Sequence, residues 1–371
     1  MQHAGPQHVP GTGMHRDFPY TTRPTGWFQL GWSPTFPAAT AVPLRFFGTD
    51  LVAYRGESGT VHLFDAHCPH LGAHLGYGGV VRGDDVACPF HGWRFDGGTG
   101  RNVEIPYSAR GCFPGVGLRR WTVHEHAGVV YFWHDSNGLP PQWDPPRPIE
   151  DAEPFFPVHP DGVKTWKLKL FPQFIPENGV DYSHFHFAHR AATMPSLGSF
   201  SADGPIFRTR IDMTFGGHAE KTWLTPDGPV QSQLETELQG VGINIARFHG
   251  TDGTTSLVGI TPIDDEYSLF SMTNWITRTP GWTPGEPLPE LALRRFAEQY
   301  KQAERDQVIW ENLRYRQRPP LVEEERDGYR AVRAWARSFY PGQPEYDAAW
   351  TSSPALSAGP GTRAAPSPAG A

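Results

Sequence analysis

Two cysteines and two histidines stand close together in "HCPHLGAHLGYGGVVRGDDVACPFHGWRFD", residues 67–96. Cys68 and His70 have one residue between them, Cys88 and His91 have two, and seventeen lie between the pairs. Each pair offers one thiolate and one imidazole from a short loop. Such loops chelate a metal centre, either one tetrahedral zinc or a [2Fe-2S] cluster with cysteines on one iron and histidines on the other. Zinc fingers usually pair Cys with Cys and His with His, whereas here the types interleave. The loops also carry Gly72, Gly76, Gly78, Gly79, Gly92, Pro69 and Pro89. Backbone of that kind wraps closely around sulfides and points N–H groups at them. The spacing favours the cluster over zinc, and over two unrelated Cys-Pro turns. His67 and His74 break the paired spacing and read as bystanders.

A second set lies in "PENGVDYSHFHFAHR", residues 176–190, where Asp181, His184, His186 and His189 crowd together. Two histidines and a carboxylate suit a mononuclear non-haem iron that keeps coordination positions open. Spacing leaves the histidine pair open. His186 and His189 share one helical face, while His184 and His189 meet only where the helix is distorted or broken. The plain alternative is an amphipathic helix that happens to be rich in histidine.

The elements that must position these groups follow from pattern. Residues 26–133 read as short strands and turns, with "LVAYR" and "VHLFDA" flanking a Gly-Glu-Ser-Gly hairpin signal. "GLPPQWDPPRPIEDAEPFFP" reads as a Pro-rich linker at 138–157. Beyond it, "KTWKLKLFPQF", "FRTRIDMTF", "AEKTWLT", "VQSQLETEL" and "YSLFSMTNWIT" read as strands. Residues 288–316 read as a long helix with Leu291, Leu293, Phe296, Tyr300, Val308 and Ile309 on its apolar face. A second helix is expected over 326–340. Residues 1–16 and the Pro/Ala/Ser/Gly-rich tail from 351 to 371 read as disordered. The expected class is α+β, an all-β domain over 25–137 and a catalytic domain over 158–345.

Composition narrows the function. Hydrophobic content is 38%, mean hydropathy is -0.48, and no run of about 18 apolar residues exists for a membrane span. The N-terminus has no signal-peptide core. A net charge of -7 argues against nucleic-acid binding. Three cysteines cannot make a disulfide framework, so a reducing compartment, the cytoplasm, is expected. Cys112 is left over as a plain buried thiol. Aromatics reach 13%, which fits a large core or a roomy apolar pocket. Trp223, Phe248, Phe270 and Trp275 are lining candidates, with core packing the default role for each.

The pattern C-x-H-x(17)-C-x(2)-H resembles the Rieske iron–sulfur motif. The loops "CPHLGAHLG" and "CPFHGW" lack the extra cysteine pair of high-potential Rieske proteins, so the resemblance is to the oxygenase and ferredoxin type. N-x(2)-D-x(2)-H-x(4)-H, at Asn178, Asp181, His184 and His189, resembles the mononuclear-iron motif of Rieske non-haem iron oxygenases. That likeness makes His184 and His189 ligands, leaves His186 as an extra histidine, and makes Asp181 the carboxylate linking a Rieske histidine of one subunit to a ligand histidine of the next. The segment from Ala303 to Tyr340 resembles the 3-ketosteroid 9α-hydroxylase oxygenases and cholesterol 7-desaturases, in which an Asp four residues before a Trp is the third ligand. Here that is Asp306, before Trp310, with Glu304 and Glu311 as rivals.

The resemblance spans about residues 25–342. It implies a Rieske β domain, a helix-grip-like catalytic domain with an antiparallel sheet and helices over an apolar cavity, and a homotrimer assembled head to tail. It also implies O2-dependent hydroxylation of a hydrophobic substrate, foremost a steroid-like polycycle. Desaturation, or a secondary-metabolite or aromatic substrate, is the alternative. No G-x-G-x-x-G follows a strand and opens a helix, so electrons are expected from a separate NAD(P)H-dependent reductase, with or without a ferredoxin. A non-enzymatic Rieske electron carrier with an inactive second site and a zinc-stabilised binding module are the rival classes.

Overall fold

The structure, a computed structural model, describes residues 18–215, 228–250 and 253–351. The expected disordered ends, the strand "AEKTWLT" and Trp223 lie outside the described residues.

The first part of the chain makes three small antiparallel sheets. The strands are β1 (Gly26–Trp32), β2 (Ala41–Phe46), β3 (Thr49–Arg55), β4 (Val61–Asp65), β5 (Val80–Arg82), β6 (Asp85–Ala87), β7 (Arg94–Phe95), β8 (Asn102–Glu104), β9 (Val123–His126) and β10 (Val129–His134). They pair as β1-β10-β9, β2-β3-β4 and β5-β6-β7-β8. The middle sheet is covered on both faces, and β3 shows how. Leu51 and Ala53 pack with Phe28, Leu63, Trp121 and Phe132. Val52 and Tyr54, alternating to the other side, pack with Phe64, Leu75, Trp93 and the two loop cysteines. The Gly-Glu-Ser-Gly turn joins β3 to β4 as a hairpin.

After β11 (Val163–Leu168) come two short helices, α1 (Phe174–Asn178) and α2 (His184–Phe187). They are followed by β12 (Ser196–Asp203), β13 (Ile206–Phe215), β14 (Val230–Gln239), β15 (Ile243–His249), β16 (Thr255–Pro262) and β17 (Ser268–Trp275). These form one antiparallel sheet in the order β11-β17-β16-β15-β14-β13-β12. Two long helices, α3 (Glu290–Trp310) and α4 (Glu323–Ala336), follow. Ala303, Trp310, Val332, Trp335 and Ala336 from these helices share one core with Leu168, Phe207, Leu238, Ile260 and Phe270 of the sheet. Phe270 and Trp275 are core residues: Phe270 packs between Trp166 and Trp310, and Trp275 packs between the two sheet systems.

The long helix forms where expected, with Phe296 buried and Tyr300 packed on the core as expected, but the aliphatic part of the expected face is wrong. Its buried stripe is Ala292, Phe296, Ala303, Asp306, Gln307 and Trp310. Leu291, Leu293, Val308 and Ile309 are exposed, Val308 at 67%. Large aliphatics drew the expected face. The real one uses alanines, which let the helix approach the sheet, and turns Asp306 inward.

The two parts are tightly joined. β1 lies across β15 and β16, so a Cβ on Gly242 would sit 2.5 Å from the Phe28 ring. The Pro-rich stretch is packed rather than loose: Leu139 O accepts Trp133 Nε1 at 2.9 Å, and Trp143 O accepts Trp27 Nε1 at 3.0 Å. His134 is part of this joint. Its Nδ1 donates to Pro24 O at 2.8 Å and its ring stacks on Phe47 at 3.6 Å. Burial holds its pKa down to about 4 from an ordinary 6.5. The unfolded chain therefore binds a proton between these values that the folded chain refuses, so His134 costs stability as pH falls through that window. Between pH 7 and 5 we expect a loss of about 2 kcal/mol from this group. Urea unfolding of wild type and His134→Gln at the two pH values measures it; parallel losses in both would refute the assignment.

Candidate metal centres

The two loops after β4 and β6 are built to one plan. Each cysteine N–H donates to the carbonyl five residues on, Cys68 to Ala73 at 2.9 Å and Cys88 to Trp93 at 2.8 Å. Each glycine four residues on donates back, Gly72 to Cys68 O at 2.9 Å and Gly92 to Cys88 O at 3.0 Å. Both glycines need positive φ, +77° and +71°, which L side chains adopt at a cost. This plan buries the sulfurs, with Cys68 at 2% and Cys88 at 4% exposure, and leaves the histidines at the rim. The His70 and His91 rings lie 4.7 Å apart, and Trp93 stacks on His70. His91 Nδ1 is enclosed with no hydrogen-bond partner among the described residues.

The thiols crowd each other. Burial pushes the Cys68 thiol up to about 11, Cys88 adds to the rise, and the backbone N–H groups of His70 and Leu71 oppose it. Buried neighbouring thiols with N–H groups aimed at sulfur, and an orphaned imidazole nitrogen, fit a two-iron cluster. A single zinc fits less well. Among the described residues the one set whose donor atoms all lie within 4.8 Å is His184, His189 and Asp306, not these four. His67 and His74 are outside the ligand set, yet they brace its first loop. His67 bonds Gly72 O at 3.0 Å and Asp50 at 3.2 Å, and His74 Nδ1 accepts Gly76 N–H. Cys112 is half-buried rather than buried, and packs against this core.

The second centre follows from a helix that stops early. α2 makes one turn and ends at Phe187, and Arg190 takes φ +61°. The chain thereby turns His189 back beside His184, with ring centroids 5.0 Å apart. His186 points elsewhere and bonds Ala191 O at 2.9 Å. Asp306 of α3 completes the set, its Oδ1 3.0 Å from His189 Nε2. The rivals are committed elsewhere: Glu304 pairs with Lys164 at 2.6 Å, and Glu311 accepts Lys169 N–H at 3.3 Å. Asn178 ends α1, and its carbonyl accepts Asp181 N–H at 3.3 Å. Asp181 Oδ1 accepts from Ser183 Oγ and His184 N–H, and its carbonyl accepts from His184 Nδ1.

Tautomers follow from these bonds. Gln302 Nε2 donates to Glu298 at 2.5 Å, so its Oε1 faces His189 Nδ1 at 3.0 Å and must accept from it. In the neutral imidazole, the form that can bind a metal, His189 Nε2 then presents its lone pair to a carboxylate oxygen. His184 Nδ1 likewise donates to Asp181, leaving an enclosed Nε2 without a partner among the described residues. Burial holds the His184 imidazole below its ordinary range, against the pull of Asp306 and Asp181. Two acceptors facing each other at 3.0 Å repel unless a cation stands between them. Two neutral imidazoles and one carboxylate on one side fit iron(II) with the opposite side open.

Sequence reasoning missed Gln302. Its only signal is the place four residues before Asp306, on the same helix face. We expect Gln302→Leu to weaken iron binding about 10–100-fold while the cluster spectrum is unchanged. Iron titration of the apoprotein followed by metal analysis checks this, and unaltered affinity would remove Gln302 from the site.

Comparison with known proteins agrees with this geometry. Residues 26–122 match the Rieske [2Fe-2S] domain, and residues 132–340 match the 3-ketosteroid 9alpha-hydroxylase C-terminal domain. The chain is 33% identical over 346 residues to the cholesterol 7-desaturase of Caenorhabditis elegans, covering 85% of this chain and 77% of that protein. It is 29% identical over 337 residues to the 3-ketosteroid-9-alpha-monooxygenase oxygenase component of Rhodococcus rhodochrous, covering 86% and 85%. Among solved structures, dicamba monooxygenase bound to dicamba superposes with a TM-score of 0.62 at 17% identity, covering 85% of this chain and 96% of that one. That last likeness supports the fold: a Rieske β domain joined to a larger antiparallel-sheet domain. With both domain families matched in order along one chain, the protein belongs to the Rieske non-haem iron oxygenases, in the branch of the 3-ketosteroid 9α-hydroxylases and cholesterol 7-desaturases, and is an oxidoreductase.

Proposed function

We propose that this chain is the terminal oxygenase of a multicomponent system that hydroxylates a steroid-like polycycle. Residues 25–137 carry the cluster, 138–157 bridge, and 158–345 carry the catalytic iron. Cys68, Cys88, His70 and His91 hold the [2Fe-2S] group, and His184, His189 and Asp306 hold iron(II). The observation that carries the reading is the convergence of His184, His189 and Asp306, with both imidazoles turned so that a bare nitrogen faces the carboxylate side. When bound, the metals supply electron storage and O2 activation.

The chain's own residues do the rest. Asp181 fixes His184 through its backbone carbonyl and offers a carboxylate to a Rieske histidine of a neighbouring copy, in a head-to-tail homotrimer. Asn178 holds the turn that presents Asp181. The sheet and α3 orient the substrate and exclude water. An NAD(P)H-dependent reductase, directly or through a ferredoxin, supplies the electrons, and the setting is cytoplasmic. Hydroxylation takes C–H, O2, two electrons and two protons to C–OH and water. Desaturation, supported by the cholesterol 7-desaturase relatives, takes the same inputs and a pair of adjacent C–H bonds to an alkene and two waters.

The test is to reduce the iron-loaded protein, add O2 with a 3-ketosteroid or a 3-hydroxysteroid, and weigh the product. Gain of one oxygen atom supports hydroxylation, and loss of two hydrogens supports desaturation. Unchanged steroids, with both metal centres verified, would remove the steroid assignment.

A further inference from the structure

A cleft of about 470 Å³ opens on the first part of the chain. Its walls come from residues 119–122, just before β9, and from Trp133 and residues 135–140, where β10 runs into the Pro-rich stretch. None of these residues belongs to either ligand set. The volume is within the range of small-molecule sites.

The walls are cationic. Arg119, Arg120, Thr122 and Asn137 line the cleft and are exposed. Neither arginine side chain has an ion-pair or hydrogen-bond partner among the described residues. The one carboxylate in the lining, Asp135, is already committed. Its Oδ1 accepts Asn137 N–H at 2.8 Å and Leu139 N–H at 3.1 Å, and its Oδ2 accepts the Thr25 and Tyr346 hydroxyls, each at 2.7 Å. Those four bonds fill the lone-pair sites of a carboxylate, and Asp135 is 3% exposed. In a chain of net charge -7, this surface offers two cations and no acceptor for them.

Arg119 is also held in place. Its guanidinium lies over the Trp121 ring, 4.3 Å from the centroid. Trp121 is fixed in turn: its Nε1 donates to Asp65 at 2.8 Å, and its ring packs against Phe132 and His134. A guanidinium lying over a ring keeps the N–H groups of its edge free, in a plane that matches carboxylate and phosphate oxygens. Part of the freedom that a surface arginine loses on binding is thus lost beforehand. Asp65 N–H donates to Arg119 O at 3.0 Å, and Asp65 stands three residues before Cys68. The cleft is therefore backed by the strand end that leads into the first cluster loop.

We propose that this cleft binds a small polar organic anion, taking its carboxylate or phosphate group on the edge of the Arg119 guanidinium.

The test is titration calorimetry of the holoenzyme at fixed ionic strength with ribose 5-phosphate, succinate and ribose. At least one of the two anions should bind saturably, with a dissociation constant of about 1 mM or below, and ribose should not bind. Which anion binds identifies the recognised group. Arg119→Gln should weaken that binding about tenfold or more, with the cluster spectrum and Tm of the wild type. Asp306→Ala should bind the anion as the wild type does, because the catalytic iron is no part of this site. Binding of neither anion, equal binding of ribose and its phosphate, or binding that Arg119→Gln leaves intact overturns the inference. Binding lost in Asp306→Ala overturns it as well, by placing the anion on the iron.

Discussion

Asp306→Ala is expected to abolish mononuclear iron binding and to lower turnover by a factor of about 10³ or more, with the Rieske cluster untouched. Asp306 supplies the only charge in the proposed triad, and its side chain is 10% exposed. Without it, two neutral imidazoles must hold a divalent cation. The apoprotein should not suffer in parallel. Before metal binds, Asp306 is a buried carboxylate whose partner is the His189 imidazole, and burying such a pair gains little against its desolvation. The apo variant should therefore unfold at the same temperature as apo wild type, or higher. Iron should raise Tm in the wild type by mass action and have no effect on the variant. Calorimetry with and without iron(II), beside metal analysis and the visible spectrum, separates loss of a ligand from loss of the fold. Full iron retention would move the third ligand elsewhere. Glu304, at the surface with Lys164, is poorly placed to take it.

What was legible in the sequence was what is local. The Rieske loops place a cysteine, a histidine and a turn-forming glycine within five residues, so chain connectivity alone nearly fixes their geometry. The second motif was half legible. Spacing could not choose between His184 and His186, because the choice depends on α2 ending after one turn and Arg190 entering the left-handed region. On α3 hydrophobic size points only partly to the buried face: Phe296 is buried, but so are Ala292 and Ala303 where Leu291 and Val308 are not. Strands β12, β15 and β16 went unread. β16 is buried along nearly its whole length, so "TSLVGITP" lacks the alternation that marks a half-exposed strand. Gln302 is a tertiary fact: it matters because α3 brings it against His189.

Asp181→Asn is expected to leave both metal centres loaded and the cluster reducible, yet to slow electron delivery to iron by about 10³. The substitution is conservative locally. The amide oxygen still accepts from Ser183 Oγ and the His184 N–H, and the backbone carbonyl that orients His184 is unchanged. What disappears is the negative charge. In the proposed trimer that charge meets a Rieske imidazole N–H across the subunit boundary. Losing a charge-assisted bond between two such groups typically costs about 2–5 kcal/mol. Single-turnover mixing of the reduced protein with O2 and substrate, following bleached-to-oxidised cluster absorbance, reads the transfer directly. Wild-type rates would release Asp181 from the role. Mixed trimers then test the direction of transfer. Chains lacking the cluster through Cys68→Ser, co-assembled with chains lacking iron through Asp306→Ala, are each inactive alone. Restored turnover in the mixture requires an electron to leave one chain and arrive in the next, whereas an inactive mixture places the path within a single chain and returns Asp181 to a local role in holding His184.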